Sequence, residues 1–166
     1  MPQYKDYQFV IAAAPSIDPG YYNKFVEGND VKVVFDQTYD TLKYSTAALG
    51  TSGTATLETA LFNVPQVVCY RAGNLSYYIA KQFVKIKYIS LVNLIMDAEV
   101  VKELIQFDMN TTMVKEELDN ILLDAVKRKK MLNDYQQLRD VLGGTGASER
   151  VAKLIYNYLQ NEHATG

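Results

Sequence analysis

The chain has 166 residues, with 17 lysine and arginine residues against 19 aspartate and glutamate residues, and hydrophobic residues make up 48% of it. This balance is typical of a globular protein that buries a core, and the net charge of −2 gives no indication of nucleic-acid binding. No apolar run reaches the roughly 18 residues of a membrane span. A single cysteine, Cys69, and a single histidine, His163, exclude an internal disulfide and a zinc site, so we expect a cytoplasmic protein without metal or cofactor.

Short apolar runs alternate with helical patterns through residue 97. They predict strands at 9–14, 31–35, 46–50, 66–70 and 87–91, and helices at 21–26, 41–44, 54–62 and 75–84. Strands that alternate with single helices indicate an α/β fold, a Rossmann-like parallel sheet with helices on both faces. Beyond it, apolar residues at helical spacing predict helices at 98–107, 111–130, 131–142 and 147–159. We therefore predict one domain over residues 1–166, with its sheet at about 8–97 and a helical part at about 98–160.

A polar, glycine-containing loop separates the third predicted strand from the next helix. The loop ends at Gly53, and the unpaired N–H groups of a helix that starts there suit a phosphate. Glu58 lies one turn further along the same helical face as Thr54, where its carboxylate can accept hydrogen bonds from a sugar. Ordinary N-capping explains the same residues, so a nucleotide site and a plain helix start both remain open.

Three loops follow predicted strands and are expected at one edge of the sheet. They are the loop at 50–54, the loop after Tyr70 and the loop around Asn93. Ligands of doubly wound sheets bind outside the carboxyl ends of the strands. The convergence of these loops therefore favours a ligand site more strongly than any one motif does.

Two segments suggest contact with a membrane surface, and both have a simpler explanation. The basic run at 127–130 suits anionic lipid or nucleic acid, but it is more typical of a solvated helix C-terminus. The tyrosines and lysines of 77–85 (Tyr77, Tyr78, Lys81 and Lys85) fit an amphipathic helix that faces the core.

The order of several motifs resembles a known family. The run TSGTATLE at 51–58, followed by PQVVCYR at 65–71, resembles the nucleotide-sugar-binding half of GT-B glycosyltransferases. The segments 75–81, 85–95 and 101–106 are similar to the C-terminal part of the lipid-A-disaccharide synthase family, and YISLVNLI is the most specific of them. The resemblance covers residues 8–160, although Val92 stands where the family usually has proline.

This resemblance implies one half of a GT-B fold and a site for a UDP-linked diacylglucosamine donor. The whole enzyme is an inverting, metal-independent glycosyltransferase that moves this sugar onto a lipid acceptor and forms the β-1′,6 disaccharide of lipid A. Gly53 and its neighbours correspond to the UDP diphosphate, and Glu58 corresponds to the ribose hydroxyls. The implied donor-binding residues are Ser52, Gly53, Thr54, Ala55, Thr56, Glu58, Arg71 and Asn93. For Arg71, a structural role as a cap of nearby carbonyls is an equal alternative.

The resemblance also implies parts that this chain lacks. The family carries its acceptor site and an aspartate proposed as general base in an N-terminal domain, and a Gly-Ser-Arg loop ahead of the strand near Phe9. Inverting transfer needs such a base, so we expect a fragment without catalytic residues of its own and without activity alone. The whole enzyme is expected at the inner membrane of Gram-negative bacteria as a peripheral protein. The alternatives are a UDP-sugar-binding domain of another GT-B enzyme, a scaffold domain that has lost its ligand, and self-association through an apolar patch.

Overall fold

The computed structural model of the chain describes residues 4–51, 53–72, 87–144 and 146–163. Ser52 and the predicted helix at 75–84 lie outside these residues. The elements are β1 (Phe9–Ala12), α1 (Pro19–Val26), β2 (Val31–Val34), α2 (Thr38–Tyr44), β3 (Ala48–Gly50), α3 (Thr54–Leu61), β4 (Gln66–Tyr70), α4 (Leu91–Met96), β5 (Lys102–Ile105), α5 (Thr111–Leu123), α6 (Ala125–Leu142) and α7 (Ala147–His163). All strand pairs among them are parallel, which confirms the predicted α/β class.

The strands form two sheets. β1 pairs with β2, with Phe9 opposite Val31. The second sheet has the order β3-β4-β5, and Val67 of its central strand lies opposite Leu49 and Lys102. We call residues 9–44 the β1–β2 region and residues 48–142 the β3–β5 region.

Two predicted elements between residues 87 and 107 are wrong. The expected strand at 87–91 and the loop after it are instead a loop and helix α4, whose start is capped by Ser90 Oγ accepting from the Asn93 N–H. The segment 98–107, which was expected to be a helix, instead contains strand β5. The sheet therefore extends past the predicted boundary at residue 97. A short apolar run fits both periods, and here the free edge of β4 offers it hydrogen bonds that a helix would not use.

The predicted helix at 111–130 is two helices joined at one residue. α5 ends at Leu123, and Asp124 serves as its C-cap and as the N-cap of α6. The Asp124 carboxylate accepts from the N–H groups of Val126 and Lys127 at 2.9 and 3.0 Å. This cap fixes the start of α6 immediately after α5 ends.

The hydrophobic core lies in the β3–β5 region. Its fully buried members come from strands β4 and β5, the turn before β5 and helices α3, α4 and α6, and they include Ala60, Val67, Val68, Val92, Val101, Leu104, Tyr135 and Leu138. The β1–β2 region reaches this core through Phe9, whose ring packs edge-to-face on Tyr4. Helix α1 has no buried side chain.

Helix α7 carries an apolar face that the described residues leave exposed. Its side chains at helical spacing are Val151, Leu154, Ile155, Tyr158 and Leu159, each at least half exposed. Within the parts of the chain that the structure describes, no helix is both long and apolar enough to cross a bilayer.

Candidate functional site

A cleft of about 540 Å³ opens at the carboxyl ends of β1 and β2 and reaches α3. Its walls are formed by Ala13, Pro15, Asp36, Gln37, Thr38, Tyr39, Asp40 and Glu58. This volume is in the range of small-molecule and cofactor sites. Its position agrees with the rule that ligands of parallel α/β sheets bind beyond the strand ends.

Glu58 is the one lining residue that the sequence analysis had singled out as a ligand contact. It lies half-buried in the second turn of α3. The Tyr39 hydroxyl donates to Glu58 Oε1 over a long 3.4 Å, and the Tyr39 ring stacks on Phe62 at 5.5 Å. These contacts join α2 to α3 across the cleft and leave the other carboxylate oxygen of Glu58 as an acceptor for a ligand.

The cleft is acidic. Asp36 and Asp40 share its wall with Glu58, so it offers three carboxylates to a ligand. Carboxylates accept hydrogen bonds, and they suit the hydroxyls of a sugar or the N–H of a base better than a phosphate. Asp36 has a φ of 56°, in the left-handed region that aspartate tolerates better than most residues. That turn ends the extended chain of β2 and brings the start of α2 into the cleft wall.

The start of α3 is free of side-chain caps among the described residues. Its N-cap is Gly53, with φ 115° and ψ −164°, a conformation that only glycine adopts readily. Thr54 and Ala55 in the first turn are exposed. Their backbone N–H groups therefore stay available to an anion.

Thr56, in contrast, faces inward. Its side chain is buried, and its hydroxyl donates to the Gly53 carbonyl at 2.8 Å. The Thr56 side chain thus fixes the turn, and a contact of this residue with UDP stays a prediction that concerns its backbone.

Gln66 holds the first turn of α3 in place through a hydrogen bond, and the sequence analysis did not identify it. The side chain is fully buried, and its Nε2 donates to the Thr56 carbonyl at 2.8 Å and lies 3.4 Å from the Tyr135 hydroxyl. Gln66 Oε1 is buried without a hydrogen-bond partner among the described residues. Burial raises the pKa of Tyr135 above its ordinary value. The sequence signal for Gln66 was a polar residue at the start of an otherwise apolar strand.

Asn93 is buried away from the cleft and fully engaged within the protein. Its Oδ1 accepts from the N–H groups of Val100 and Val101, at 2.8 and 2.9 Å. Its Nδ2 donates to the Val101 carbonyl at 2.8 Å and to the Glu103 carboxylate at 2.9 Å. The same carboxylate accepts from Ser90. A ligand contact of the Asn93 side chain stays a prediction, and it would have to replace one of these bonds.

Arg71 is exposed directly after β4 and does not line the cleft. Its position is set by its neighbour Ala72, whose backbone N–H donates to Gln106 Oε1 at 3.0 Å and whose carbonyl accepts from Gln106 Nε2 at 3.2 Å. Gln106 thereby prolongs the contact of β4 with β5 beyond the strand ends. The structure thus brings Glu58 and the α3 start together, whereas Arg71 and Asn93 lie apart from the cleft wall.

Comparison with known proteins gives one consistent result. The family model described as lipid-A-disaccharide synthetase matches residues 2–155. Among curated proteins, the chain is similar to the lipid-A-disaccharide synthases of Syntrophus aciditrophicus, 36% identical over 92% of this chain, and Geobacter sulfurreducens, 33% identical over 95%. The synthase of Gloeothece citriformis is 39% identical over 74% of this chain and 33% of its own length. The chain spans 41% of the length of the first two relatives.

Proposed function

Because the chain belongs to the lipid-A-disaccharide synthase family, we propose that it forms the part of the enzyme that binds the UDP-linked diacylglucosamine donor. The observation that supports this most directly is the place of Glu58 in the cleft wall, one turn beyond an uncapped helix start. Four residues of helix separate the Glu58 level from the α3 tip by about 6 Å. That spacing matches the separation of a ribose from the diphosphate attached to it.

In this proposal, the two ends of the nucleotide meet different chemistry. The uridine occupies the acidic cleft, where Glu58 accepts from the ribose hydroxyls and Asp36 or Asp40 faces the base. The diphosphate lies against the N–H groups of Gly53, Thr54 and Ala55, which also face the partial positive charge of α3. The carboxylates thus face hydrogen-bond donors of the uridine, and the backbone amides face the anionic diphosphate.

For the whole enzyme we propose inverting transfer. The 6-hydroxyl oxygen of the acceptor forms a bond to C1′ of the donor sugar, the bond from C1′ to the UDP oxygen breaks, and a base takes the hydroxyl proton. UDP leaves with additional negative charge on its diphosphate. The backbone amides at the α3 start stabilise that charge, with Arg71 as a further candidate. The base and the acceptor site belong to the rest of the enzyme, and the chain alone is inactive.

Asn93 has a different part in this proposal. Its four internal hydrogen bonds tie α4 to the chain entering β5 and to Glu103 near the start of that strand, at the opposite end of β5 from the clamp of Gln106 on Ala72. We assign it a positioning role, holding the start of β5 against α4, in place of direct contact with the donor. For the whole enzyme we also propose a lipid acceptor, a peripheral contact with the cytoplasmic face of the membrane, and self-association.

Titration of this chain with UDP, followed by amide chemical shifts, tests the donor site. We expect shifts at 36–40 and at 53–58. Glu58→Gln should weaken binding about 5- to 150-fold, the loss of about 1–3 kcal/mol from charge-assisted hydrogen bonds. Glu116→Gln makes the same charge change at an exposed site on α5 and should leave binding unchanged.

Two further ligands localise the contacts. UMP lacks the second phosphate and should reduce the shifts at 53–55 while keeping those at 36–40. GDP tests whether the cleft distinguishes the base. Shifts confined to other segments, or equal binding by Glu58→Gln and the parent chain, would contradict the proposed site, and so would the absence of any response at millimolar UDP.

A further inference from the structure

Gln106 follows the last residue of β5 and has an unusual backbone conformation. Its φ is 54°, in the left-handed region, which it shares with three other non-glycine residues of the described chain, Asp36, Asn63 and Asp97. Aspartate and asparagine tolerate this conformation better than other side chains, and glutamine is not favoured in it. Backbone strain of this kind persists only where surrounding contacts hold it, and it concentrates at functional sites.

The contacts of Gln106 lie on both sides of one residue, Arg71. The Gln106 N–H donates to the Tyr70 carbonyl at 2.9 Å. Its side chain accepts at Oε1 from the Ala72 N–H at 3.0 Å and donates from Nε2 to the Ala72 carbonyl at 3.2 Å. Gln106 is only 4% exposed, so water competes little for these bonds. One residue therefore fixes the backbone before and after Arg71, just beyond the last pair of β4 and β5.

The turn after β5 accounts for the strained backbone of Gln106. The Asp108 N–H donates to the Ile105 carbonyl at 3.1 Å, which closes a turn with Gln106 at its second position. A positive φ at that position is typical of turns in which glycine is the usual residue. Glutamine adopts this unfavourable conformation here and supplies the amide that binds Ala72.

Arg71, the residue between these contacts, has a side chain that is free to bind a ligand. It is exposed, and its guanidinium has no hydrogen-bond or ion-pair partner among the described residues. Arginine binds phosphate through parallel N–H groups, and this geometry depends on where the backbone places the side chain. A firmly held backbone at an exposed arginine therefore suits an anionic ligand.

The strand register places Arg71 at the same edge of the sheet as the uncapped start of α3. Gly50 of β3 lies opposite Val68 of β4, and neighbouring strands are about 4.8 Å apart. Gly53 is three residues past that pair along one connection, and Arg71 is three residues past it along the other. An arginine side chain is long enough to span one strand spacing, so its guanidinium can reach an anion bound at the α3 start.

We propose that Gln106 is a positioning residue that holds Arg71 against the second phosphate of the donor. This inference rests on the proposed donor site and adds to it the residue that sets the place of Arg71. Gln106 itself contacts no ligand, and its effect passes through the backbone of residues 70–72. The guanidinium faces the phosphate that gains negative charge when the bond to the sugar breaks, so it stabilises the leaving group.

Two substitutions in this chain test the two residues separately. Arg71→Met removes the charge of an exposed side chain and should leave the fold unchanged. Gln106→Gly keeps a residue that adopts a positive φ readily, but it removes the amide. Each variant should weaken UDP binding about tenfold, the loss of one charge-assisted phosphate contact. Binding of UMP, which lacks the second phosphate, should change less than about twofold.

The double variant separates positioning from general stability. If Gln106 acts through Arg71, Gln106→Gly should cause no further loss of UDP binding in the Arg71→Met background. Asn63→Gly is the matched control, because Asn63 has a φ of 58°, is exposed, and has no side-chain hydrogen bond to another described residue. This control should bind UDP as the parent chain does.

Several results would overturn the inference. Equal UDP affinity of Arg71→Met and the parent chain does so, whether or not Gln106→Gly folds fully. Additive losses in the double variant, or equal losses of UDP and UMP binding in Gln106→Gly, mean that Gln106 acts only on the stability of the fold. These results leave the donor site intact, because the shifts at 36–40 and 53–58 are measured in the parent chain. Absence of those shifts overturns the donor site and this inference together.

Discussion

The β1–β2 region and the β3–β5 region use the same alternation of strand and helix, but they bury their residues very differently. In β4 the first three residues have no exposed surface, and helices α3 and α5 pack against the strand. In the β1–β2 region, the described strands contain no fully buried residue, and α1 has no buried side chain. Two strands do not make a core, whereas three strands with packed helices do. The local sequence pattern determines which helices and strands form, whereas the number of elements packed around them determines how far their residues are buried.

The candidate cleft lies where these two regions meet. Glu58 and the start of α3 belong to the well-packed side and are supported by Gln66 and Tyr135. Asp36 and Asp40 belong to the other side, which reaches α3 through the contacts of Tyr39. We expect the ligand to contact one firmly held wall and one weakly held wall.

The largest expected difference between the regions is in the stability lost when an aromatic side chain is truncated. Tyr135→Ala removes a fully buried ring and the hydroxyl beside Gln66, and it should lower the free energy of unfolding by about 3–5 kcal/mol. Phe25→Ala removes a ring that is 63% exposed on α1 and should change it by less than about 1 kcal/mol. Urea unfolding of both variants measures the difference, and equal losses would mean that the β1–β2 region has a core of its own.

A smaller difference is expected for buried and exposed amides. Asn93→Ala leaves the N–H groups of Val100 and Val101 without their acceptor and should cost about 2–3 kcal/mol of unfolding free energy. Asn29→Ala, in the exposed turn before β2, removes one 3.3 Å bond to the Glu27 carbonyl and should cost less than about 0.5 kcal/mol. Stability of Asn93→Ala close to the parent, together with weaker UDP binding, would instead favour direct contact with the donor.

The smallest effect is a pH dependence. Burial raises the pKa of the Tyr135 hydroxyl in the folded chain above the value of about 10 that it has when unfolded. Folding therefore favours the protonated form, and the stability that this adds is present below pH 10 or so and is lost as the pH rises further.

Comparison with Tyr135→Phe isolates this effect from the other tyrosines and lysines. The parent chain should lose stability more steeply above pH 10, by up to about 1.4 kcal/mol per pH unit. The measurement is urea unfolding between pH 8 and pH 11 or so, in steps that bracket the titration. Parallel curves for the two proteins would show that Tyr135 titrates normally and is not enclosed by the β3–β5 region.

Much of this fold follows from the sequence, because strands β1 to β4 are short apolar runs bounded by turn-forming or polar residues. The errors of element type lie at 87–107, where short apolar runs fit either period, and the joint at Asp124 inside the predicted helix 111–130 was also missed. Ser90, three residues before Asn93, was a usable capping signal for α4. The assignment of β5 depends on the open edge of β4, which no local pattern records.

The candidate site was predicted in part. Glu58 and Gly53 follow from the glycine loop and helical spacing, and the structure places both at one helix start, with Glu58 in the cleft wall. The segment 36–40 was missed as a wall of the cleft, although it also follows a predicted strand and the same rule of carboxyl ends applies to it. The internal bonds of Asn93 were not predictable, because they join residues brought together by α4 and β5.

The single-residue joint at Asp124 has a consequence for segments that are distant in sequence. Its carboxylate holds two N–H groups of α6 directly after α5 ends, so no linker separates the two helices. One turn further along α6, Arg128 Nη1 donates to the Thr46 carbonyl at 3.0 Å, on the chain that enters β3. A substitution that loosens the start of α6 should therefore also disturb the chain that leads to the loop before α3.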